Sequence, residues 1–145
     1  MKKEKDDRLV GFTCGAFDLL HAGHIEMLSE AASVCDWLVV GLQTDPSIDR
    51  KNKNKPIQSL VEREIQLRAV RYVDEIIIYE TEADLLSLLK NLNPDIRIIG
   101  EDHKGKNYTG HELQIEIYFN SRDHNWSSSD LRKRIADYER KNDRD

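Results

Sequence analysis

Two histidines near the start of the chain have a spacing that suits phosphate chemistry. His21 and His24 follow a short apolar run, and Gly23 lies between them. In a helix, side chains three positions apart share one face, and glycine allows a ligand to approach the backbone closely. The start of a helix also offers unpaired amide groups and the positive end of the helix dipole. The pattern therefore predicts an anion site in which two imidazoles donate hydrogen bonds to phosphoryl oxygens.

Two other interpretations of the histidine pair remain open at this point. One is a pair of partly exposed polar residues at a helix start, which would be the preferred interpretation of a lone histidine. The other is a zinc pair, which is weaker because neither Cys14 nor Cys35 obviously supplies the further ligands. The combination of a strand, a glycine and the two histidines around Gly23 favours the anion site.

The composition indicates a globular chain and excludes several function classes. The chain has 145 residues, of which 39% are hydrophobic and 34% charged, so we expect a single domain over residues 1–145 with charged ends at 1–8 and 139–145.

The net charge of −5 argues against a nucleic-acid partner. No apolar run approaches the roughly 18–20 residues of a membrane span, so we expect no membrane partner. Two cysteines cannot build a disulfide scaffold, and the simplest location is the reducing cytoplasm.

Short apolar runs alternate with helical spacing along the chain. Nearly continuous runs at residues 9–14, 37–42, 76–79 and 96–99 are typical of strands buried on both faces, and the alternating run 114–119 suits an edge strand. The helical spacing is carried by Ile25, Leu28 and Ala32, by Val61, Ile65 and Ala69, by Leu85, Leu88, Leu89 and Leu92, and by Leu131, Ile135 and Tyr138. This alternation predicts an α/β fold, a Rossmann-like doubly wound parallel sheet of about five strands with flanking helices. Ligands bind such a sheet at the carboxyl ends of its strands.

A basic loop stands out in this acidic chain. Residues 49–56 contain three lysines, Lys51, Lys53 and Lys55. A run of charge is usually a solvated loop, but a flexible loop with mobile point charges can also close over a triphosphate. Its place beside a predicted phosphate site favours the second interpretation.

The segment that contains both histidines resembles the signature of the His-x-Gly-His nucleotidyltransferases, the cytidylyltransferase-like family. Residues 15–24 read Gly-Ala-Phe-Asp-Leu-Leu-His-Ala-Gly-His, and the likeness is greatest to the glycerol-3-phosphate cytidylyltransferase type. Three further segments follow in the family's order: 62–76 with Arg-Tyr-Val-Asp-Glu, 100–106 with Gly-Glu-Asp, and 122–131 with Arg-Asp-His-Asn-Trp-Ser-Ser-Ser. The resemblance spans residues 9–138.

The resemblance implies roles for individual residues. It places the catalytic contacts at His21, His24 and Lys55. It implies that the nucleotide is bound by Gly15, Ala16, Phe17, Gly23, Lys53, Asp102, Arg122, Ser127, Ser128 and Ser129. It implies that the acceptor is bound by Lys53, Arg63 and Arg71. For Arg63 and Arg71, a solvated helix face is the alternative, and for Arg71 a structural role with Asp74 or a dimer contact is a further one. The chemistry of a triphosphate substrate implies Mg²⁺ that arrives with the nucleotide, and the sequence shows no dedicated carboxylate cage for a metal. The resemblance also implies a homodimer.

The chain departs from the family's pattern at several of these positions. Ala16 stands where threonine is usual, and His103 replaces the tryptophan or tyrosine that follows the family's aspartate. In the last segment, Asp123, Asn125 and Trp126 replace threonine, glycine and isoleucine. These changes predict a shift in base or substrate preference.

The sequence thus predicts an enzyme that transfers a nucleotidyl group. The expected reaction is transfer of CMP from CTP to a small phosphorylated alcohol such as glycerol-3-phosphate, with release of pyrophosphate. One alternative is an adenylyltransferase that uses ATP and a sugar phosphate. The other is a non-catalytic nucleotide-binding regulatory module, for which the histidine pair would not be required.

Overall fold

The computed structural model describes residues 8–142, and they form a five-stranded parallel sheet with flanking helices. Strands and helices alternate as the sequence predicts. The strands are β1 (Val10–Gly15), β2 (Trp37–Gln43), β3 (Glu75–Tyr79), β4 (Ile96–Gly100) and β5 (Glu116–Asn120). The helices are α1 (Ala22–Ser33), α2 (Leu60–Arg68), α3 (Glu82–Leu92) and α4 (Ser128–Lys141), and a short 3₁₀ turn, Glu101–His103, follows β4.

The order of the strands places a crevice in the middle of the sheet. The order is β3-β2-β1-β4-β5, and every neighbouring pair is parallel. The chain moves outward from β1 to β3 and then crosses back to β4, so the direction of winding changes between β1 and β4. β1 pairs with β2 along its whole length, whereas its ladder with β4 consists of Gly11 opposite Ile96 and Phe12 opposite Arg97. Ligands of doubly wound sheets bind at such a switch point.

The hydrophobic core lies on both faces of the sheet, which explains the continuous apolar runs. On one face, Leu38 and Val40 pack with Leu28 of α1 and Leu67 of α2. On the other face, Phe12, Val39 and Tyr79 pack with Leu85 and Leu89 of α3. Every residue of β2 is buried, as expected for a strand covered on both sides.

The second helix buries a different face from the one that the spacing suggested. Val61, Ile65 and Ala69 were expected to face the core, but all three are exposed, and α2 instead buries Arg63 and Leu67. The reason is that the loops beside α2 present main-chain carbonyl groups, which a guanidinium satisfies and an aliphatic side chain does not.

The last helix and the chain ends also differ in part from expectation. No residue of α4 is fully buried, and Ile135 and Tyr138 are exposed. Because α4 reaches Lys141, the predicted charged tail at 139–145 is helical over its first three residues. Residues 1–7 and 143–145, which belong to the two predicted charged ends, lie outside the described residues. Over 8–142, no helix is both long and apolar enough to cross a membrane.

Candidate functional site

The two histidines form the first turn of α1, and each ring has a defined orientation. His21 is the residue that caps the helix, and its Nδ1 accepts a hydrogen bond from the amide of Gly23 at 3.0 Å. The Nδ1 of His24 in turn accepts from the amide of His21 at 3.1 Å. Because Nδ1 is the acceptor in both rings, the neutral imidazoles carry their proton on Nε2. The ring centroids are 3.8 Å apart, so the predicted pairing on one face is present.

A relay of hydrogen bonds connects His21 to the far end of the chain. Its Nε2 lies 3.2 Å from the hydroxyl of Ser128, at the start of α4. That hydroxyl donates to the main-chain oxygen of Asp18 at 3.1 Å, so it accepts from Nε2 of His21. The last segment of the resemblance and the histidine signature therefore meet in space, as the shared site predicted from the sequence requires.

Both histidines are held in the neutral form. The pKa of His24 is lowered to about 4, mainly by burial and in addition by charge on His21 and Arg122, while the carboxylate of Asp18 acts in the opposite direction. Burial also lowers the pKa of His21, followed by the charges of His124, Arg122 and Arg134. Among residues 8–142, no group accepts a hydrogen bond from Nε2 of His24. At neutral pH this ring is therefore an uncharged donor available to a ligand.

The lowered pKa of His24 predicts a loss of stability in mild acid. Between about pH 4 and 6.5 the unfolded chain binds a proton at His24 and the folded protein does not, so the free energy of unfolding falls as the pH is lowered. The loss is about 1.4 kcal/mol for each unit of pKa difference that is traversed. Urea unfolding at pH 7.5 and pH 5 measures it. His24→Asn, which keeps an acceptor but does not titrate, should lose less stability over this interval, and an equal loss would contradict the assignment.

Asp18 joins the histidine turn to the two residues that directly follow the basic loop. Its buried carboxylate accepts from the amides of Ile57 and Gln58, each at 2.9 Å, and lies 3.8 Å from Nη1 of Arg132 in α4. The residues on either side, Phe17 and Leu19, have φ angles of 51° and 52°, which side chains other than glycine adopt rarely. This tight turn directs the Asp18 carboxylate towards the loop and its carbonyl oxygen towards Ser128.

The structure gives Arg63 a set of main-chain contacts that the sequence did not indicate. It is 2% exposed, and its guanidinium donates to four main-chain oxygens. These belong to Ala16 (3.0 Å), Gln43 (2.7 Å), Thr44 (2.6 Å) and Gln58 (3.2 Å). The acceptors follow β1, end β2 and precede α2, so Arg63 ties together three loops at the carboxyl ends of the strands. Its positive charge is stabilised by the dipoles of these four main-chain carbonyl groups.

The basic loop is anchored at its base and exposed at its tip. Nη2 of Arg50 donates to Gln43 at 3.2 Å, and the carboxylate of Asp49 accepts from the amide of Glu82 at 2.7 Å. Residues 51–55, including all three lysines, are exposed. Lys55 lines a cavity of about 400 Å³ together with Asp45 and Arg63, whereas Lys51 and Lys53 do not line it. The loop geometry therefore distinguishes Lys55 from its neighbours.

The end of β4 brings two further predicted residues together. Asp102 and Arg122 both lie beside Gly100: a Cβ atom on this glycine would be 2.6 Å from Oδ1 of Asp102 and 3.9 Å from Cδ of Arg122. The amide of Arg122 donates to Glu101 at 3.2 Å. Both side chains are exposed, and the charge of Arg122 acts on both histidines of the signature.

The three predicted serines have different environments at the start of α4. Ser127 caps the helix and accepts from the amide of Asp130 at 3.0 Å. Ser128 faces His21, as described above. Ser129 is exposed and accepts from Nη2 of Arg132 at 3.1 Å. The helix start thus presents hydroxyl groups and cationic side chains beside the histidine turn.

The remaining predicted residues divide into those near the histidines and one that is remote. Phe17 packs against His24 with ring centroids 5.4 Å apart, and Gly15 lies against the Phe17 ring. Ala16 contributes a carbonyl group to Arg63, and Gly23 is buried in the first turn of α1. Arg71, in contrast, precedes β3 at the amino end of the sheet, where it donates to the hydroxyl of Tyr72 at 3.0 Å. The structure does not bring Arg71 to the histidine site.

Sequence reasoning assigned no role to several residues that the structure places at the site. They are Asp18, Gln58, His124, Arg132 and Arg134. For His124 a signal existed, because it is a third histidine inside a segment that already resembled a phosphate-binding element. The contacts of Asp18 and Gln58 join residues about 40 positions apart, which periodicity does not report.

A second, larger cavity lies away from the histidine site, and the described residues form no candidate metal site. A cavity of about 750 Å³ lies beside β3 and α3, and none of the predicted site residues lines it. Over residues 8–142, no group of three or more His, Cys, Asp or Glu side chains is arranged to hold a metal ion. Cys14 and Cys35 are free thiols.

Comparison with known proteins decides the family. Residues 12–134 match the family described as cytidylyltransferase-like. The chain belongs to the cytidylyltransferase-like family. The predicted nucleotidyltransferase fold and enzyme class are thereby confirmed, and the specific likeness to glycerol-3-phosphate cytidylyltransferase is not.

Relatives of this cytidylyltransferase-like chain come from bacteria and archaea. It is 36% identical over 135 residues to the Bifunctional protein HldE of Campylobacter concisus, covering 92% of this chain and 28% of that protein. The chain therefore spans less than a third of the length of this relative. It is also similar to the crystal structure of a lipopolysaccharide core biosynthesis protein from Thermoplasma volcanium, with a TM-score of 0.64 and 27% identity over 83% of this chain and 99% of the other.

A more distant structure shares the fold alone. The pantoate–β-alanine ligase of Francisella tularensis, solved with β,γ ATP and β-alanine, superposes with a TM-score of 0.56 at 17% identity. The match covers 92% of this chain and 71% of that structure. The five-stranded cytidylyltransferase-like sheet is thus common to proteins with very different sequences.

Proposed function

We propose that the protein is an adenylyltransferase, which transfers the AMP group of ATP to the phosphate of a sugar phosphate and releases pyrophosphate. The observation that carries this proposal is the pair of neutral histidines at the start of α1. The Nε2 donor of His24 is unused by the described protein groups, Arg122 acts with positive charge on both rings and Arg134 on His21, and Asp18 is the opposing carboxylate at His24. Such a site stabilises negative charge on phosphoryl oxygens.

The proposed reaction needs no nucleophile from the protein. An oxygen of the acceptor phosphate attacks the α-phosphorus in line, a new oxygen–phosphorus bond forms, and the bond to the β-phosphate oxygen breaks. Pyrophosphate leaves with that bond's electron pair. His24 donates to an oxygen of the α-phosphate, while Ser128 and the main-chain amide of Gly23 orient His21. Catalysis then consists of positioning and charge stabilisation.

The relatives favour ATP and a sugar phosphate over the CTP and phosphorylated alcohol expected from the sequence. The curated relatives are HldE proteins, and the solved structure at 27% identity is a lipopolysaccharide core biosynthesis protein. A lipopolysaccharide core is built from sugars, so sugar phosphates are the acceptor class that suits these relatives. The changes at Asn125 and Trp126 from the family's pattern agree with a shift in base preference.

We propose that Mg²⁺ enters with the triphosphate rather than at a protein site. The described residues hold no cluster of metal ligands, and the charged side chains around the histidines are mostly cationic. Oxygens of the triphosphate are ligands that Mg²⁺ prefers, and the ion keeps several waters in such complexes. The bound ion would supply charge neutralisation at the phosphates.

Pyrophosphate release over a matrix of substrates tests the proposed function. ATP and CTP are each combined with hexose, heptose and glycerol phosphates, and the nucleotide product is identified by mass spectrometry. We expect release with ATP and a sugar phosphate. A CDP-alcohol formed from CTP and glycerol-3-phosphate would instead establish the reaction predicted from the sequence. Tight nucleotide binding without product from any pair would establish a regulatory module.

Lys55→Ala should weaken nucleotide binding about tenfold without lowering stability. Lys55 lines the cavity beside Arg63, and its exposed charge is free to approach a triphosphate. Isothermal titration with a non-hydrolysable ATP analogue measures the affinity, and thermal unfolding measures stability. Lys51→Ala is the matched control, because Lys51 is exposed in the same loop but does not line the cavity. Equal affinity of both variants and the wild type would refute the role of Lys55.

We propose that the protein is located in the reducing cytoplasm and that it forms a homodimer. The interface of this dimer is proposed at the edge of the sheet formed by β3. Val61 and Ile65 of α2 are 65% and 59% exposed, and Ile78 of the edge strand β3 is 44% exposed. Exposed aliphatic side chains on neighbouring elements are typical of an interface. Sedimentation equilibrium should give about twice the chain mass of 16.9 kDa for the wild type and the chain mass itself for Ile65→Glu. A monomeric wild type would contradict the proposal.

A further inference from the structure

A third histidine lies against the signature turn. His124, in the loop before α4, approaches the first turn of α1 over Gly23. A Cβ atom on Gly23 would lie 3.0 Å from Cε1 of His124 and 2.9 Å from Cε1 of His21. The two rings therefore flank the same glycine. The two rings are also close enough to interact electrostatically. After burial, positive charge on His124 is the largest cause of the lowered pKa of His21.

Of the two ring nitrogens of His124, Nδ1 has a hydrogen-bond partner in the protein and Nε2 does not, within the described residues. Its Nδ1 accepts from the amide of Trp126 at 3.2 Å, and the ring stacks on the Trp126 side chain with centroids 5.0 Å apart and planes 24° apart. Since Nδ1 is an acceptor, the neutral ring carries its proton on Nε2. Within residues 8–142, no protein group accepts a hydrogen bond from that nitrogen.

The charges around His124 suit an anionic partner. Arg122 in the same loop and Arg134 in α4 both act with positive charge on the neighbouring His21, although Arg134 also pairs with Asp130 at 3.3 Å and Asp123 directly precedes His124 in the chain. Asp18 is the nearby carboxylate of the turn, and its oxygens are already occupied by the amides of Ile57 and Gln58 and by Arg132. An unpaired imidazole donor placed among cations gains a strong hydrogen bond from a phosphate oxygen.

We infer that His124 is a substrate-binding residue, which donates through Nε2 to a phosphate oxygen of the nucleoside triphosphate. This inference rests on the proposed function for the identity of the substrate. His124 thereby adds a third imidazole to the anion site, and its ring lies beside Gly23 together with that of His21. The stack on Trp126 holds the third ring, which gives a function to the large side chain at position 126.

Two substitutions at His124 separate binding from loop structure. His124→Asn places an oxygen near the position of Nδ1, so the hydrogen bond from Trp126 is kept and the Nε2 donor is lost. His124→Gln places an amide nitrogen near Nε2, so a donor is kept. Titration calorimetry with inorganic pyrophosphate and tripolyphosphate should show affinity about tenfold lower for His124→Asn and within about threefold of wild type for His124→Gln. Thermal unfolding serves as the folding control.

A spectroscopic readout completes the test. In protein labelled with ¹⁵N-histidine, the Nε2 signal of His124, assigned by its loss in His124→Asn, should shift when pyrophosphate is added. The inference is overturned if His124→Asn binds polyphosphate as tightly as wild type, if that signal does not move, or if the wild type binds neither polyphosphate. If polyphosphate binding depends on His124 but no triphosphate is turned over, the proposed reaction fails and the binding role of His124 stands.

Discussion

His24→Ala should lower kcat for pyrophosphate release by about 10²–10³-fold, the usual cost of removing a hydrogen-bond donor that stabilises developing charge. The pKa of His24 is lowered to about 4, which makes the ring neutral at pH 7, its Nδ1 is occupied by the amide of His21, and no described protein group accepts from its Nε2. The loss should fall on kcat more than on KM, because the donor acts on charge that develops in the transition state.

The matched variant for this experiment is His24→Asn. Asparagine can accept from the amide of His21 and so preserve the first turn of α1, but it cannot reach the position of Nε2. We expect it to be as inactive as His24→Ala and more stable. Initial rates with saturating ATP and acceptor give kcat, and circular dichroism reports folding. A folded His24→Asn protein with the wild-type rate would show that the ring takes no part in the reaction.

Arg63→Met should lower the free energy of unfolding by about 3 kcal/mol or more, the range found when one partner of a buried charged contact is removed. The guanidinium is buried and donates to four main-chain oxygens from three loops. Methionine fills much of the same volume but leaves those carbonyl groups without donors, and each buried unsatisfied group carries its own desolvation cost.

Arg68→Met is the control for this measurement. Arg68 lies in the same helix and pairs on the surface with Glu64 at 2.9 Å, so its loss should change stability by less than about 1 kcal/mol. Urea unfolding of both variants gives the comparison. If Arg63→Met unfolds like Arg68→Met but raises the KM of the acceptor, then the contact with the acceptor expected from the sequence would be restored and the structural role withdrawn.

The sheet could be predicted from the sequence because its inner strands are covered on both faces, whereas the edge strand β3 leaves Ile78 exposed. β2 has no exposed position, and such continuous apolar runs are distinctive. α3 was predicted well for a related reason: its leucine spacing, with Leu85 and Leu89 buried, matches a single core-facing stripe. The capping residues Ser59, Thr81 and Ser127 also lie at the helix starts where short polar side chains are favoured.

α2 and α4 show where spacing alone misleads. Apolar residues at i and i+4 predict a buried face, but Val61 and Ile65 point outward because the buried face of α2 must satisfy main-chain oxygens through Arg63. In α4, Ile135 and Tyr138 follow a helical stripe that remains largely exposed. Spacing predicts which residues share one face of a helix, but it does not predict which groups of the protein pack against that face.

The histidine pair could be predicted because its hydrogen bonds join residues close in sequence. The long-range contacts that hold the histidine turn in place could not be predicted. His21 and His24 are oriented by amides within three residues, which the spacing implies. The hydrogen bond of His21 to Ser128 and the contacts of Asp18 with the basic loop join residues 107 and about 40 positions apart. Only the folded arrangement of β1, the loop and α4 brings these groups into hydrogen-bonding range.

The short ladder between β1 and β4 has a consequence for the order in which the protein folds. β1 to β3 form a continuous unit from residue 10 to 79, β4 and β5 form another from 96 to 120, and within the sheet the ladder pairs that join the two are Gly11–Ile96 and Phe12–Arg97. His21 belongs to the first unit, whereas Arg122 and Ser128 follow the second. We therefore expect the reactive site to form late in folding, when this seam closes, and to be lost early on gentle heating, while most of the helical circular dichroism signal persists.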